Sequence, residues 1–223
     1  MNFIDVNIEQ IENLFGLAVL VVCAAMMFAK RTWPSAEIRL FARGFVGAGL
    51  LGDSCWTIYT FVFGHSPQYF YGEELAWLAE ELFLLLLIVE VYGKEGLSPI
   101  NPTAWIGPIV IAALSTWYVA VAGDPVLNIL MGCAMSGIAL FSLSALLNTK
   151  EDRSKGITRH TRFYVATVCF VALEYILWSC SAVDGTVSIS NPYYWVGPLV
   201  YVAILCITLT VMRFKKFHDG DGD

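Results

Sequence analysis

The sequence predicts an all-α protein that crosses a membrane with seven helices. Of its 223 residues, 57% are apolar and only 14% are charged, whereas soluble domains are about 25% charged. A membrane crossing needs about 20 residues, and seven apolar stretches of roughly that length follow one another along the chain. We therefore expect a single membrane domain over residues 1–223, with no separate soluble domain.

The seven predicted spans are separated by segments typical of loops, among them Arg31-Thr32-Trp33-Pro34, Gly123-Asp124-Pro125 and Ser190-Asn191-Pro192. Backbone amides in hydrocarbon need partners within the same segment, so apolar stretches of this length are predicted to be helices. The predicted spans are about 11–30, 39–63, 74–93, 104–122, 126–148, 162–184 and 192–213.

The distribution of charge predicts the orientation. All 13 Lys and Arg residues fall in loops 1–2, 3–4 and 5–6, in their flanks, or in the C-terminal tail, which a seven-helix topology places on one side. The positive-inside rule then puts the N-terminus outside and the C-terminus in the cytoplasm of a multi-pass cytoplasmic-membrane protein. The net charge of −6 and the lack of a basic stripe exclude a nucleic-acid-binding role.

The sequence offers no metal or enzyme motif. Its six cysteines lie inside apolar runs without CxxC spacing, and no GxSxG, HExxH or P-loop pattern occurs. We expect no metal, no cofactor and no catalytic residue. Aromatic residues near the outer ends of the predicted spans are interpreted as interfacial anchors. They are Tyr69, Phe70, Tyr71, Trp77, Trp117, Tyr118, Tyr193, Tyr194 and Trp195.

An internal repeat of the 3+1+3 kind is also predicted. Residues 11–93 and 126–213 would be the two half-repeats, with 104–122 as a linker helix. Corresponding positions carry similar residues: Leu14-Phe15-Gly16 with Leu130-Met131-Gly132, and Asp53-x-x-Trp56 with Glu174-x-x-x-Trp178.

The predicted topology resembles the seven-helix transporters built as 3+1+3, which are the sugar-carrying SWEET and PQ-loop group and the nicotinamide riboside carriers. This resemblance covers the whole chain and implies a small-solute carrier. Asp53-x-x-Trp56, followed by a polar-started helix that ends in Tyr92, is similar to the sensory membrane halves of bacterial diguanylate cyclases and LuxR-type regulators. The Gly52-Asp53 pair is similar to a pair in lysoplasmalogenase-type hydrolases.

Acidic residues inside the spans are the candidate site, because ionisable groups in a bilayer are costly. Asp53 and Glu174 fall near the middle of helices 2 and 6, without a basic residue near them in sequence. We expect them to form a central substrate-binding or proton-sensitive site. Trp56 and Trp178 would be its walls, and Glu80 or Glu81 would lie at the outer entry. Gly44, Ala48 and Gly52 form a small-residue stripe that places Asp53 beside a close helix contact.

Several interpretations of these acids stay open. The function predicted first is a small-solute transporter or solute-binding protein of the bilayer. The alternatives are a sensory module that binds a cytoplasmic protein through residues 149–161, and an intramembrane hydrolase. Asp53 and Glu174 are also consistent with protonated carboxyls that only bridge helices. Glu90, near the cytoplasmic end of helix 3, is predicted to pair with Arg43.

Overall fold

The computed structural model describes residues 3–63, 72–97, 99–123, 125–151, 160–183 and 186–214. Within these residues the chain forms seven α-helices and a short 3₁₀ helix, Pro102–Trp105. The all-α prediction is confirmed. The helices are α1 (Phe3–Ala29), α2 (Ala36–Phe63), α3 (Gly72–Lys94), α4 (Ile106–Ala122), α5 (Pro125–Glu151), α6 (Thr161–Val183) and α7 (Tyr193–Met212).

Local chemistry explains where several helices begin and end. The Ser35 hydroxyl accepts a hydrogen bond from the Ile38 amide and so caps the start of α2. The Asn101 side chain accepts from the Thr103 amide ahead of α4. Gly123 ends α4 with a φ of 83°, a left-handed conformation that favours glycine.

Neighbouring helices along the chain run in opposite directions. In α1 and α2, Asn13 contacts Thr60 while Arg43 contacts Met27, so these helices are antiparallel. Six helices pack in a ring in the order α1, α2, α3, α5, α6, α7, and α7 closes the ring on α1. Helix α4 packs on α5 and α6, with much of its surface exposed. The ring places α1–α3 opposite α5–α7, and the internal repeat stays a prediction.

The polarity of the bundle is the reverse of that of a soluble protein. Large apolar side chains are exposed on the outer faces, whereas acidic and hydroxyl side chains are buried between helices. Among the described residues, five helices are long and apolar enough to span a membrane, namely α1, α4, α5, α6 and α7. These features are compatible with an integral membrane protein.

Helices α2 and α3 are not apolar enough to be counted among the membrane-spanning helices, so the seven-span topology stays a prediction. They carry the buried acids Asp53, Glu80 and Glu81, which lower their mean hydropathy. Their outer faces nevertheless expose large apolar side chains, including Leu51, Ile58, Leu82 and Leu86. This surface is suited to contact with lipid.

Charge distinguishes the two ends of the bundle. We call the basic end the one that holds the C-terminal ends of α1, α3 and α7 and the N-terminal ends of α2 and α6. The Lys and Arg whose side chains are described lie there: Lys30, Arg31, Arg39, Arg43, Lys94, Arg162 and Arg213. We call the opposite end, where α3 begins with Glu73 and Glu74, the acidic end. The side of the membrane that each end faces stays a prediction.

Glu90 does not pair with Arg43, so that prediction is wrong. Glu90 lies 3.2 Å from Lys94, one turn along the same helix. Arg43 instead donates to the carbonyls of Met27 and Phe28, both at 3.2 Å. The last carbonyls of α1 have no donors within their own helix and need donors from elsewhere. The Arg43 guanidinium supplies them and therefore does not pair with the Glu90 carboxylate.

Lys30 joins two helix ends at the basic end of the bundle. Its ammonium donates to the carbonyls of Val211 and Met212 at 2.9 and 3.1 Å, and to that of Phe214 at 3.3 Å. These carbonyls belong to the last turn of α7 and the residues after it, where intrahelical donors run out. A single cation therefore caps α7 from the end of α1.

Replacing Lys30 by Met is expected to lower the free energy of unfolding by about 1–2 kcal/mol, because partly buried carbonyls lose charge-assisted donors. Thermal denaturation of the full chain in detergent measures the change. Arg31→Met is the matched control, since the Arg31 side chain is exposed. Equal melting temperatures for the two variants would contradict this role of Lys30.

Candidate functional site

A partly open cavity of about 480 Å³ lies in the acidic half of the helix ring. Residues of all seven helices or their ends contribute to its wall. Its volume is within the range of about 300–1,000 Å³ that is usual for small-molecule sites. The cavity extends from the acidic end down to Leu20, Phe170 and Ile204.

Six acidic residues line this cavity among the described part of the chain: Glu12, Asp53, Glu74, Glu80, Glu81 and Glu174. Asp53, Glu80 and Glu174 lie eight to ten residues from the ends of their helices on the acidic side. At 1.5 Å per residue, this places them about 12–15 Å inside the bundle. The acids thus surround a point near the middle of the helix ring.

Aromatic rings form much of the remaining wall. The described lining residues of this type, besides Phe170, are Trp56, Trp77, Tyr118, Trp178, Tyr193 and Tyr201. Trp56 lies 5.9 Å from Trp77 between ring centroids, and Tyr118 lies 6.2 Å from Trp178. Four of these rings therefore form two tilted pairs in the cavity wall.

The residues predicted as a site lie together around this one cavity. Asp53 and Trp56 come from α2, Glu80 and Glu81 from α3, and Glu174 and Trp178 from α6. Glu80 and Glu81 lie at nearly the same depth as Asp53, not at an outer entry. Both of these adjacent positions of α3 line the cavity.

Other lining residues were missed or interpreted differently from the sequence. Helix α1 begins at Phe3, eight residues before the predicted span start at residue 11. Glu12 is therefore the tenth residue of the helix and lies well inside it, not at its end. Trp77, Tyr118 and Tyr193 line the cavity, although they are predicted as interfacial anchors. In Asp53–Trp56 and Glu174–Trp178, an acidic residue precedes a tryptophan by three or four positions. Glu74 and Trp77 have the same spacing, and this pattern could have identified them as lining residues.

Glycines bring the site side chains against the neighbouring backbone. A Cβ at Gly49 would lie 2.6 Å from Glu80 Oε1, and one at Gly52 would lie 2.7 Å from Trp77 Cδ1. The Gly44–Gly52 stripe therefore faces α3, and the predicted close contact beside Asp53 is the α2–α3 interface.

Glycines also allow close packing of cavity-lining side chains on the other side of the cavity. Glu12 packs directly against Gly197, and the Tyr201 ring packs directly against Gly16. Glycines thus let Glu12 and Tyr201, which line the cavity, pack at the α1–α7 interface, as Gly49 and Gly52 do for Glu80 and Trp77 at the α2–α3 interface.

Three carboxyl oxygens in this wall lack a hydrogen-bond partner. Asp53 Oδ1 accepts from the Trp77 indole at 2.9 Å, but Asp53 Oδ2, Glu80 Oε1 and Glu81 Oε2 are buried without a donor. The exposed fractions of these residues are only 8%, 7% and 3%. Buried polar atoms are normally satisfied, so these oxygens are available to a ligand that supplies donors.

The described wall of the cavity combines acidic side chains with an absence of basic ones. None of the described residues that line the cavity is Lys, Arg or His. Among the described residues, no group of three His, Cys, Asp or Glu side chains converges closely enough to hold a metal ion. The arrangement is able to accept hydrogen bonds and attract positive charge over an extended wall.

Below the cavity, the basic half of the ring is filled with apolar side chains. Phe45, Leu84, Leu87, Met135 and Ile138 are each fully buried there. Further toward the basic end, Glu95 accepts from the Tyr164 hydroxyl at 2.9 Å and lies 2.5 Å from His160 Nδ1. A packed apolar layer therefore separates the acids from the basic end.

The resemblances drawn from the predicted topology gain no support from comparison with known proteins. No family model matches the chain, and no curated protein or solved structure is significantly similar to it.

Proposed function

We propose that the chain is a membrane carrier that binds a small solute in the acidic cavity and moves it across the bilayer. The observation behind this proposal is the set of buried, unpartnered carboxyl oxygens of Asp53, Glu80 and Glu81 around a 480 Å³ cavity. A purely structural role would favour closed hydrogen bonds between helices, because unsatisfied polar atoms in an apolar bundle are costly.

Transport, rather than binding alone, is supported by the position of the cavity within the ring. Both sets of three ring helices line it, with Asp53 and Glu80 on one side and Glu174 and Tyr201 on the other. A solute bound there contacts both halves. Movement of one half against the other would then open the apolar layer on the basic side, as alternating access requires.

In this proposal the acidic end faces outward and the basic end faces the cytoplasm, in accordance with the positive-inside rule. The sensory alternative depends on residues 149–161, and 152–159 of that segment lie outside the described residues. The hydrolase alternative depends on the Gly52-Asp53 pair, and Gly52 has a packing role against Trp77.

The test is uptake by the purified full chain in liposomes. The labelled probes are glucose, alanine, succinate and putrescine, which cover neutral, zwitterionic, anionic and cationic solutes. We expect at least one probe to accumulate above the level in protein-free vesicles. Asp53→Asn and Glu174→Gln are expected to reduce that uptake by at least about tenfold, since each removes an ionisable carboxyl from the cavity wall.

Glu90→Gln is the control, because Glu90 pairs with Lys94 and does not line the cavity. This variant is expected to retain uptake. Lack of uptake of every probe by correctly inserted protein would overturn the carrier function. Uptake that is unchanged in both cavity variants would overturn the assignment of the site.

A further inference from the structure

We infer that the solute is a protonated organic amine, with its ammonium group donating hydrogen bonds to buried oxygens of Asp53, Glu80 or Glu81 and its carbon skeleton packed against the tryptophans of the cavity. This inference rests on the proposed function and specifies its substrate class. It follows from the hydrogen-bonding capacity, the charge and the shape of the cavity wall.

The hydrogen-bonding capacity of the wall matches an ammonium group. Three buried oxygens, Asp53 Oδ2, Glu80 Oε1 and Glu81 Oε2, lack a donor. A primary ammonium carries three N–H donors and no acceptor. A hydroxyl of a sugar or an alcohol carries only one donor, so it satisfies fewer of these oxygens per polar atom than a primary ammonium does.

The charge of the wall favours a cation over an anion. Six acidic residues line the cavity, and none of its described lining residues is basic. A carboxylate or phosphate ligand would face acidic groups without a basic partner among the described lining residues, and close groups of like charge repel each other. A cation would face carboxyl groups from α1, α2, α3 and α6 together, and each of them can carry a negative charge opposite it.

The aromatic walls favour an organic cation. Trp56 and Trp77 form one ring pair beside Asp53, and Trp178 with Tyr118 forms a second pair on the α6 side. Ring faces attract ammonium groups and also accept the methylene or aryl part of such a ligand. The cavity therefore combines anionic acceptors with flat apolar surfaces.

Inorganic and quaternary cations fit less well. A divalent metal needs several ligand atoms at about 2.0–2.6 Å, but the described His, Cys, Asp and Glu residues form no such group. A quaternary ammonium lacks N–H donors, so it would leave the three oxygens without hydrogen bonds. A protonated amine satisfies both the charge and the acceptors.

Four probes that share a phenyl-alkyl skeleton test this inference by calorimetric binding to the purified full chain: 2-phenylethylamine, 2-phenylethanol, 3-phenylpropionate and trimethyl(2-phenylethyl)ammonium. We expect the amine to bind at least about tenfold more tightly than each of the others. Glu80→Gln and Glu81→Gln are expected to remove that preference, whereas Glu90→Gln retains it.

The outcomes separate this inference from the carrier function. Equal or tighter binding of the alcohol or the carboxylate would overturn the amine assignment, and the carrier function would stand if glucose, alanine or succinate is transported. Equal binding of the quaternary compound would overturn the role given to the three oxygens. Lack of binding of every probe, together with lack of uptake in liposomes, would overturn both.

Discussion

Glu95→Ala is expected to lower the free energy of unfolding by about 3 kcal/mol, because the variant removes the acceptor from a buried group of side chains. The Glu95 carboxyl accepts from Tyr164 at 2.9 Å and lies 2.5 Å from His160 Nδ1. The side chains of Glu95 and His160 are only 9% and 4% exposed. This group joins the end of α3 to the start of α6, so its loss loosens the basic end. Thermal denaturation in detergent measures the change.

Glu90→Ala is the matched control, since it removes the same side chain five residues earlier. Glu90 makes a partly exposed pair with Lys94, and such pairs contribute about 0–1 kcal/mol. The control is therefore expected to change the melting temperature much less. Equal losses in the two variants would show that burial of the Glu95 group does not contribute to stability.

Gly49→Ala is expected to weaken solute binding by about tenfold while changing the melting temperature little. The added Cβ would lie 2.6 Å from Glu80 Oε1, so the carboxyl has to move away from its place in the cavity wall. The moving group is the far end of a flexible side chain, which limits the cost to folding. Alanine also favours the helix over glycine by about 1 kcal/mol, which offsets part of that cost. Titration of 2-phenylethylamine by calorimetry measures the loss.

Gly47→Ala makes the same substitution one half-turn away on α2. A Cβ at Gly47 meets no atom within 4 Å, so this variant is expected to keep full affinity. Loss of affinity in both variants would point to a general effect of helix stiffness. If Gly49→Ala keeps full affinity, Glu80 does not contribute to solute binding.

The two predictions assign different roles to the two halves of the bundle. The Glu95 group at the basic end is expected to contribute to stability, and the Glu80 region in the acidic half is expected to contribute to binding. The Glu95 group at the basic end joins helices through closed hydrogen bonds, and its loss is expected to lower stability. The Glu80 region holds acceptors without donors, and its displacement is expected to lower affinity. The proposed carrier function would need both properties, because one end has to stay closed while the other admits the solute.

Much of the fold follows from composition and periodic breaks alone. The apolar stretches between loop segments predict helices at nearly the observed positions, since backbone amides in hydrocarbon have no alternative partners. Asp53 and Glu174 are recognisable as site candidates because a buried charge requires a partner or a function. The contributions of Glu12 and Trp77 are less visible, because each lies near a predicted span end where polar and aromatic residues are common.

The ion pair predicted from the sequence between Glu90 and Arg43 is the prediction that the structure contradicts. Glu90 and Arg43 are plausible partners by depth, yet Glu90 pairs with Lys94 and Arg43 binds the carbonyls that end α1. Unpaired carbonyls at a helix end are invisible in the pattern of side chains. Their requirement for donors competes with ion pairing once the helices meet.

The sequence by itself determined that the chain is helical and apolar, and that its basic residues fall in alternate loops, because these features depend on local composition. Only the tertiary structure decided that six acids and six Trp and Tyr rings of the described chain share one cavity. Which faces of neighbouring helices meet depends on where glycines permit close approach, as at Gly49 and Gly52, and on which surfaces pack best. These long-range contacts bring acids that are separate in the sequence to the wall of a single cavity.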